Sequence, residues 1–281
     1  MGRRMNRRGF LKFGAAAAAG ALAFATTYLA THDESQTLAV ERLTIPIRGL
    51  PAALTGFRLV QISDIHLYPF TRLDLVRRAV AAANDLQPDL TVLTGDFVWR
   101  DVAAIFDLAP VLGSLNARHG VYAIRGNHEL WTDAAVVEQG LQEVRIPLLN
   151  NAGVPVGEGQ DLFFLAGLDD GWSGQPDLTT ALASRPGQAP VILLMHEPDL
   201  ADRYAADGRI ALQLSGHSHG GQIRFPRLGP LILPYLARKY DMGLYRIGEM
   251  WLYTNRGLGV TNEPVRYNCP PEVTEITLVR A

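Results

Sequence analysis

Phe57-Arg58-Leu59-Val60-Gln61-Ile62-Ser63-Asp64-Ile65-His66 is the stretch on which the fold turns. From Phe57 to Ser63 it is dense in β-branched and large apolar side chains, the pattern of a buried strand. It then stops on a carboxylate and an imidazole two positions apart, so both can project from one side of an extended segment. A second run, Leu90 to Thr94, repeats the design and is followed by Gly95-Asp96. A third, Val121 to Ile124, is followed by Gly126-Asn127-His128-Glu129. The intervening segments Leu73 to Leu86, Val102 to Leu115 and Asp133 to Val144 carry helical periodicity.

Strand and helix therefore alternate as βαβαβα, which calls for a largely parallel sheet with helices on its faces. Apolar runs at Leu162 to Ala166, Val191 to Met195 and Ile210 to Leu214 extend it. From Met242 onward the pattern changes to antiparallel strands with no helix between them, at Gly243 to Ile247, Trp251 to Thr254 and Val273 to Val279. No internal repeat or linker divides the chain, so residues 37–281 are expected to form a single α/β domain behind a polar connector at 31–36.

In open α/β sheets, sites form where loops converge at the carboxyl ends of strands. Besides the three blocks above, His196 directly follows the run ending at Met195, and Gly216-His217-Ser218-His219 follows the run ending at Leu214. Five of the seven histidines fall at such ends. Singly, an Asp or Asn after a strand is a turn or cap residue and a histidine is hydrogen-bonded structure. Gathered at one sheet edge, these groups would repel or stay unsatisfied unless something bound them, and metal cations suit a mixed Asp, His and Asn set. Cys269 is the single cysteine, which excludes an internal disulfide and a cysteine-based zinc cluster.

The blocks Asp64-x-His66, Gly95-Asp96, Gly126-Asn127-His128-Glu129, His196 and Gly216-His217-x-His219 together resemble the full motif set of the calcineurin-like metallophosphoesterases, in order, over roughly Gln61 to Gly221. Gly220-Gly221-Gln222-Ile223, Thr254 to Gly259 and Asn268 to Glu272 are similar to a bacterial branch that is exported or membrane-attached. The resemblance implies two packed sheets flanked by helices, and two divalent or trivalent ions (manganese, iron or zinc). Asp64, His66 and His219 would hold one ion, and Asn127, His196 and His217 the other. Asp96 would bridge them and hold the pair that activates a shared hydroxide. His128 would serve the leaving oxygen or the phosphoryl charge. The implied substrate is a phosphodiester, monoester or pyrophosphate, the last including a lipid-linked or nucleotide-sugar lipid of the UDP-diacylglucosamine type.

Other classes fit less well. Gly216-His217-Ser218-His219-Gly220 matches the nucleophile elbow of serine hydrolases, but no acid and then histidine follow Ser218 in the order a triad needs. Neither His128-Glu129 nor His196-Glu197 continues into a zinc-protease motif, and there is no phosphate-binding P-loop sequence. A non-catalytic, metal-dependent binding module would be favoured by a missing ligand, and none is missing.

The N-terminus reads as a targeting segment. Arg7-Arg8, Phe10-Leu11-Lys12 and an uncharged apolar run from Phe13 to Ala30 resemble a twin-arginine export signal. About 18 apolar residues is borderline for a membrane anchor, and Ala23-Phe24-Ala25 fits a cleavage site. The expected partner is the twin-arginine export machinery, and the expected location is the periplasm or the outer face of the cytoplasmic membrane. Five of the 26 basic residues and none of the 28 acidic ones lie in residues 1–30, leaving a formal charge of −7 beyond them. That balance argues against nucleic-acid binding. Finally, Phe225 to Leu236 is apolar and carries three prolines and a glycine, which excludes a regular helix or central strand. It is expected either to fold back on the core or to form a hydrophobic lip meeting a membrane or an acyl chain.

Overall fold

A computed structural model of the chain describes residues 27–281, together with residue 15 and residues 18–20. The arginine pair and the Ala23-Phe24-Ala25 site lie outside the described residues. Among the described residues no helix is long and apolar enough to cross a membrane.

Two sheets pack face to face. The first contains β1 (Ala39–Ile47), β2 (Phe57–Ile62), β3 (Leu90–Thr94), β4 (Val121–Ile124) and the final strand β13 (Glu272–Arg280), in the order β1-β13-β2-β3-β4. The second contains β5 (Ala152–Glu158), β6 (Asp161–Gly167), β7 (Val191–Leu194), β8 (Ile210–Ser215), β11 (Gly243–Ile247) and β12 (Met250–Thr254), in the order β11-β12-β8-β7-β6-β5. A small hairpin of β9 (Arg224–Phe225) and β10 (Gly229–Pro230) stands apart.

The period of two explains why the central strands carry apolar residues on both faces. Phe57 and Leu59 of β2 point into the core between the sheets, whereas Val60 and Ile62 point into the helical layer outside. On the facing sheet Ile192 and Leu194 of β7 meet that shared core, and Val191 and Leu193 face outward. Buried on both faces, such strands need no polar alternation. The outer layer of the first sheet is made by α1 (Leu73–Asp85), α2 (Ile105–Leu112) and α4 (Ala134–Glu143), with the single-turn α3 (Asn127–Trp131) between them. Leu75, Val76, Ala79, Val80 and Ala83 form the buried stripe of α1, the spacing of an amphipathic helix. Asp133 starts α4 by accepting the amides of Ala135 and Val136, as a capping carboxylate does.

The helix expected from Val102 begins as a 3₁₀ turn and is α-helical only over Ile105–Leu112. Besides the two-residue strands β9 and β10, the strands β1 and β5 have no counterpart in the sequence reading. Both are sheet edges and both carry a proline, Pro46 and Pro155, which an edge tolerates because one side of its backbone needs no partner. At the C-terminus β11 and β12 pair antiparallel, and β12 runs parallel to β8. β13 then crosses to the first sheet, antiparallel to β2 and parallel to β1.

The crossing segment, residues 255–271, braces the end of β2. Leu258 donates its amide to Ser63 O at 2.9 Å and Gly259 to Asp64 O at 2.7 Å. A fully buried Arg266 fixes this loop from behind, donating to the carbonyls of Arg256 (2.8 Å), Gly259 (2.6 Å) and Cys269 (3.1 Å). The connector is tied to the same loop, for Asp33 accepts the Arg266 amide and Glu34 the Cys269 amide. Replacing the guanidinium strands three carbonyls. Arg266→Met should therefore lower the unfolding free energy by about 3–5 kcal/mol, the cost of breaking a buried charged network. Urea denaturation measures it, and a loss below about 1 kcal/mol would show that the loop is braced by other contacts.

Candidate metal centre

Four turns at the carboxyl ends of β2, β3, β7 and β8, together with the start of α3 beyond β4, converge on one point. Asp64 and His66 follow β2, Asp96 follows β3, His196 follows β7, and His217 and His219 follow β8. Asn127 and His128 open α3. The turns are laced together by the backbone: Asp64 N donates to Gly95 O, His66 N to Asp96 O, and Gly216 N to His196 O, each at 3.0 Å. Asp64, His66, Asp96, His217 and His219 all sit at positive φ, between 44° and 68°. Left-handed backbone at non-glycine residues is uncommon and persists where surrounding structure enforces it, typically at functional sites. The motif glycines are explained by crowding. A Cβ on Gly126 would lie 2.5 Å from Asp96 Oδ1 and 2.7 Å from the His196 ring, and one on Gly216 would lie 2.2 Å from Asp64 Oδ2.

All eight residues singled out in the sequence are buried here. Asp64, His66, Asp96 and His219 form one group whose ligand atoms lie within 4.8 Å of one another, and Asp96, His196 and His217 form another. Asp96 belongs to both: its Oδ2 is 3.3 Å from His66 Nε2 and 3.2 Å from His196 Nε2. His219 Nε2 approaches Asp64 Oδ1 at 3.3 Å and His66 Nε2 at 3.0 Å. Asn127 Oδ1 is buried with no hydrogen-bond partner. An orphaned amide oxygen and converging imidazole nitrogens are costly unless a cation accepts their lone pairs, so the residues fit a pair of metal ions. The hydrogen bonds fix which nitrogens remain, because the ring nitrogen that donates a proton leaves the other to bind. His196 Nδ1 donates to Thr94 O at 2.6 Å and frees Nε2; His217 Nε2 donates to Tyr235 O at 2.8 Å and frees Nδ1. Cys269 is buried and donates from Sγ to His219 O.

Electrostatics favour the same reading. Burial lowers the proton affinity of His66 and, reinforced by neighbouring imidazoles, pushes His217 down to about 3 and His219 well below the usual histidine range. These are the neutral forms that a metal needs. Burial opposes charge on Asp96, but His196, His128 and His66 outweigh it and hold that carboxyl well below its ordinary value. Burial raises Asp64. His196 is desolvated too, yet Asp96 and then Asp64 keep its affinity well above normal. Two carboxylates and four imidazoles thus divide protons that cations would displace.

The sequence reading gave no role to Glu129. Its Oε2 accepts the amides of Asp96 (2.9 Å) and Gly126 (2.8 Å), and its Oε1 accepts that of Phe97 (2.8 Å). One side chain therefore fastens the Asp96 turn to the α3 turn; burial and then the Asp96 charge raise its pKa to about 8. Its place at the third residue of a helix, reaching back to the cap, was the available signal. Also unassigned were Trp99, Trp131 and Trp172, which with His128 and His217 wall a cavity of about 260 Å³ beside the ligands.

Residues 57–221 match the sequence profile of the calcineurin-like phosphoesterases. The chain belongs to that family. It is 36% identical over 287 residues to the metallophosphoesterase YkuE of Bacillus subtilis (strain 168), covering 98% of each chain. It is 33% identical over 227 residues to the phosphodiesterase YaeI of Escherichia coli (strain K12), covering 79% of this chain and 82% of that one. Among solved structures, TT1561 of Thermus thermophilus is similar in fold, with a TM-score of 0.52 at 11% identity, over 73% of this chain and 91% of the other. The protein is thus a metal-dependent phosphoric ester hydrolase with two packed sheets flanked by helices, and the family's centre is dinuclear.

Removing the shared or the orphaned ligand tests the geometry directly. Asp96→Asn and Asn127→Ala should each reduce bound metal in elemental analysis and abolish turnover while thermal unfolding stays cooperative. Unchanged metal content with full activity at limiting metal would exclude a centre built on these residues.

Proposed function

We propose that this metallophosphoesterase cleaves a phosphate ester at two ions, one held by Asp64, His66 and His219, the other by Asn127, His196 and His217, with Asp96 shared. The observation that carries this reading is that Asp96 Oδ2 stands within 3.3 Å of an imidazole from each group. When bound, such a pair acidifies water at neutral pH and offsets the charge of the phosphoryl oxygens during in-line attack.

The chain's own residues then have distinct tasks. Glu129 and the backbone ladder keep Asp96 from turning away. Ser63 Oγ donates to Asp64 Oδ2 at 2.5 Å and the His217 amide donates to both Asp64 oxygens, which orients that carboxylate. His128 is held by its Nδ1 donating to Trp99 O at 3.0 Å and by stacking on the Trp99 ring at 4.5 Å. Nε2 is the nitrogen left to exchange a proton. Its place in the cavity wall suits delivery of that proton to the departing oxygen. Likeness to a protein named as a phosphodiesterase supports a diester as the first substrate to assay.

With bis(p-nitrophenyl) phosphate and added manganese the purified protein should turn over, and chelation should stop it; inactivity across several metals would refute the reading. His128→Ala should keep both ions yet lose about 10²- to 10⁴-fold in rate, the usual scale for general acid catalysis, with the smaller loss on substrates whose leaving groups need no proton. An equal loss on good and poor leaving groups would assign His128 to binding or charge stabilisation instead.

Export by the twin-arginine route is the second part of the proposal, supported by the order of Arg7-Arg8, Phe10-Leu11-Lys12 and the apolar run that follows. Replacing the pair with two lysines preserves charge but removes what the receptor reads. Cell fractionation should then find the protein retained in the cytoplasm, whereas unchanged export would point to the general secretory route.

A further inference from the structure

Ten large apolar side chains are exposed among the described residues, and six of them belong to the Phe225–Leu236 segment or to the wall of the metal cleft. Leu228 is 82% exposed, Leu231 62%, Ile232 71% and Tyr235 54%, and opposite them stand Trp131 and Trp172. Four of the six are tied to the cleft. The Trp131 and Trp172 rings meet at 4.8 Å, Trp172 and Tyr235 at 5.6 Å, and Ile232 and Pro234 line the same cavity as His217 and His219. The segment does not fold back on the core. Apolar exposure concentrated in one patch marks an interaction surface, whereas scattered exposed side chains need no explanation.

Two further observations say what covers it. The described end of the uncharged run that closes at residue 30 meets the body of the protein beside this patch. There Tyr28 contacts Tyr267, ring to ring at 5.8 Å and hydroxyl to hydroxyl at 3.3 Å, and Tyr267 in turn contacts Phe225 at the base of the β9–β10 hairpin. The last described residues of that run therefore lie on the side that carries the β9–β10 hairpin. Exposed Arg227 stands at the hairpin turn beside Leu228, and exposed Arg238 follows the segment by two residues, although the chain past residue 30 is acidic overall. Exposed apolar side chains flanked in sequence by exposed arginines suit a lipid surface. The cleft itself carries no lysine or arginine among its described lining residues. Beyond the ions it offers one phosphoryl group no further cation, so a second phosphate would lie uncompensated against tryptophan.

We infer that the Phe225–Leu236 lip seats on a phospholipid bilayer and that the substrate is an amphiphile with a single phosphate ester, drawn from that bilayer with its chains against Ile232, Trp131 and Trp172. This rests on the phosphoesterase reading and specifies its substrate. Hydrolysis joins the oxygen of water to phosphorus, breaks the bond from phosphorus to the departing alcohol oxygen, and leaves one proton on that oxygen.

The test uses the full chain and the double variant Leu228→Ser/Leu231→Ser, neither residue lining the cleft, both reconstituted in phosphatidylcholine vesicles carrying phosphatidic acid or phosphatidylglycerol. The parent should hydrolyse at least one of these lipids. The variant should keep its kcat/KM on soluble bis(p-nitrophenyl) phosphate and lose on the order of 100-fold on lipid, about tenfold for each apolar side chain withdrawn from the bilayer. Equal lipid-to-soluble ratios in parent and variant would overturn the inference, as would a parent that cleaves the soluble diester and neither lipid. So would a parent dimer in detergent that the variant dissolves, since the lip would then belong to a second copy. A parent inactive on the soluble diester would instead remove the phosphoesterase reading beneath it.

Discussion

Asp96 answers two demands with one carboxylate. Its Oδ2 faces imidazoles from both halves of the centre, and its Oδ1 accepts the amide of His128 at 3.0 Å. A side chain so committed cannot rotate, and its backbone is equally committed, since its amide ends on Glu129 and its carbonyl on the amide of His66. Much of the fold is arranged so that this can happen. Parallel strands β2 and β3 deliver Asp64 and Asp96 to the same height, and β7 and β8 of the second sheet bring His196, His217 and His219 to face them. The shared apolar core between the sheets sets the distance across which these groups meet.

The cost of that convergence is visible in the backbone and in the charges. Five residues of the cluster adopt left-handed conformations, each costing roughly 1–3 kcal/mol, and several buried polar atoms lack partners within the protein. Cations that bind the folded arrangement recover both, because ligand atoms scattered along 156 residues, from Asp64 to His219, are assembled only in the native state. Metal binding and folding are therefore linked, and Glu129 and Arg266 limit how far the ligand turns relax without metal. Neither touches an ion; each holds a turn from behind through backbone groups.

The reach of the sequence follows from these same distinctions. Strands β2 and β3 were legible because burial on both faces leaves a largely apolar run ending abruptly in polar residues, and the edge strand β4 because its short apolar run Val121–Ile124 ends just before the Gly126-Asn127-His128-Glu129 block. β1 and β5 were not, because an edge strand shares its composition with loops: Glu41, Arg42 and Pro46 in one, Gly153, Pro155 and Gly157 in the other. Among polar residues, the ligand types announced themselves by falling directly after strands. Glu129 lay inside a motif, and only its place three residues past the helix cap hinted that its work is done on amides. Arg266 sits where the chain has no periodic pattern at all, and its burial follows from long-range packing of the crossing segment against β2. The tryptophan wall was hidden for a related reason, since Trp99, Trp131 and Trp172 are far apart in sequence; in the fold Trp131 meets Trp172 ring to ring and Trp99 joins them through His128.

The apolar lip shows how exposure can be built rather than tolerated. One end of the segment is attached to the metal centre, where Tyr235 O accepts the Nε2 proton of His217 and so sets the tautomer that leaves Nδ1 for an ion. Just past it, Asp199 holds the same end, its carboxylate accepting the amides of Arg238 (2.8 Å), Lys239 (3.0 Å) and Tyr240 (3.1 Å). The close approach of Gly221 to Pro230, where even a methyl group would lie 2.3 Å from the proline ring, secures the hairpin base. A loop free to move would turn its leucines and isoleucine inward, because burial of each is favourable. Fixed in this way, Leu228, Leu231 and Ile232 remain outside, and any apolar phase that covers them bears on a segment one hydrogen bond away from His217.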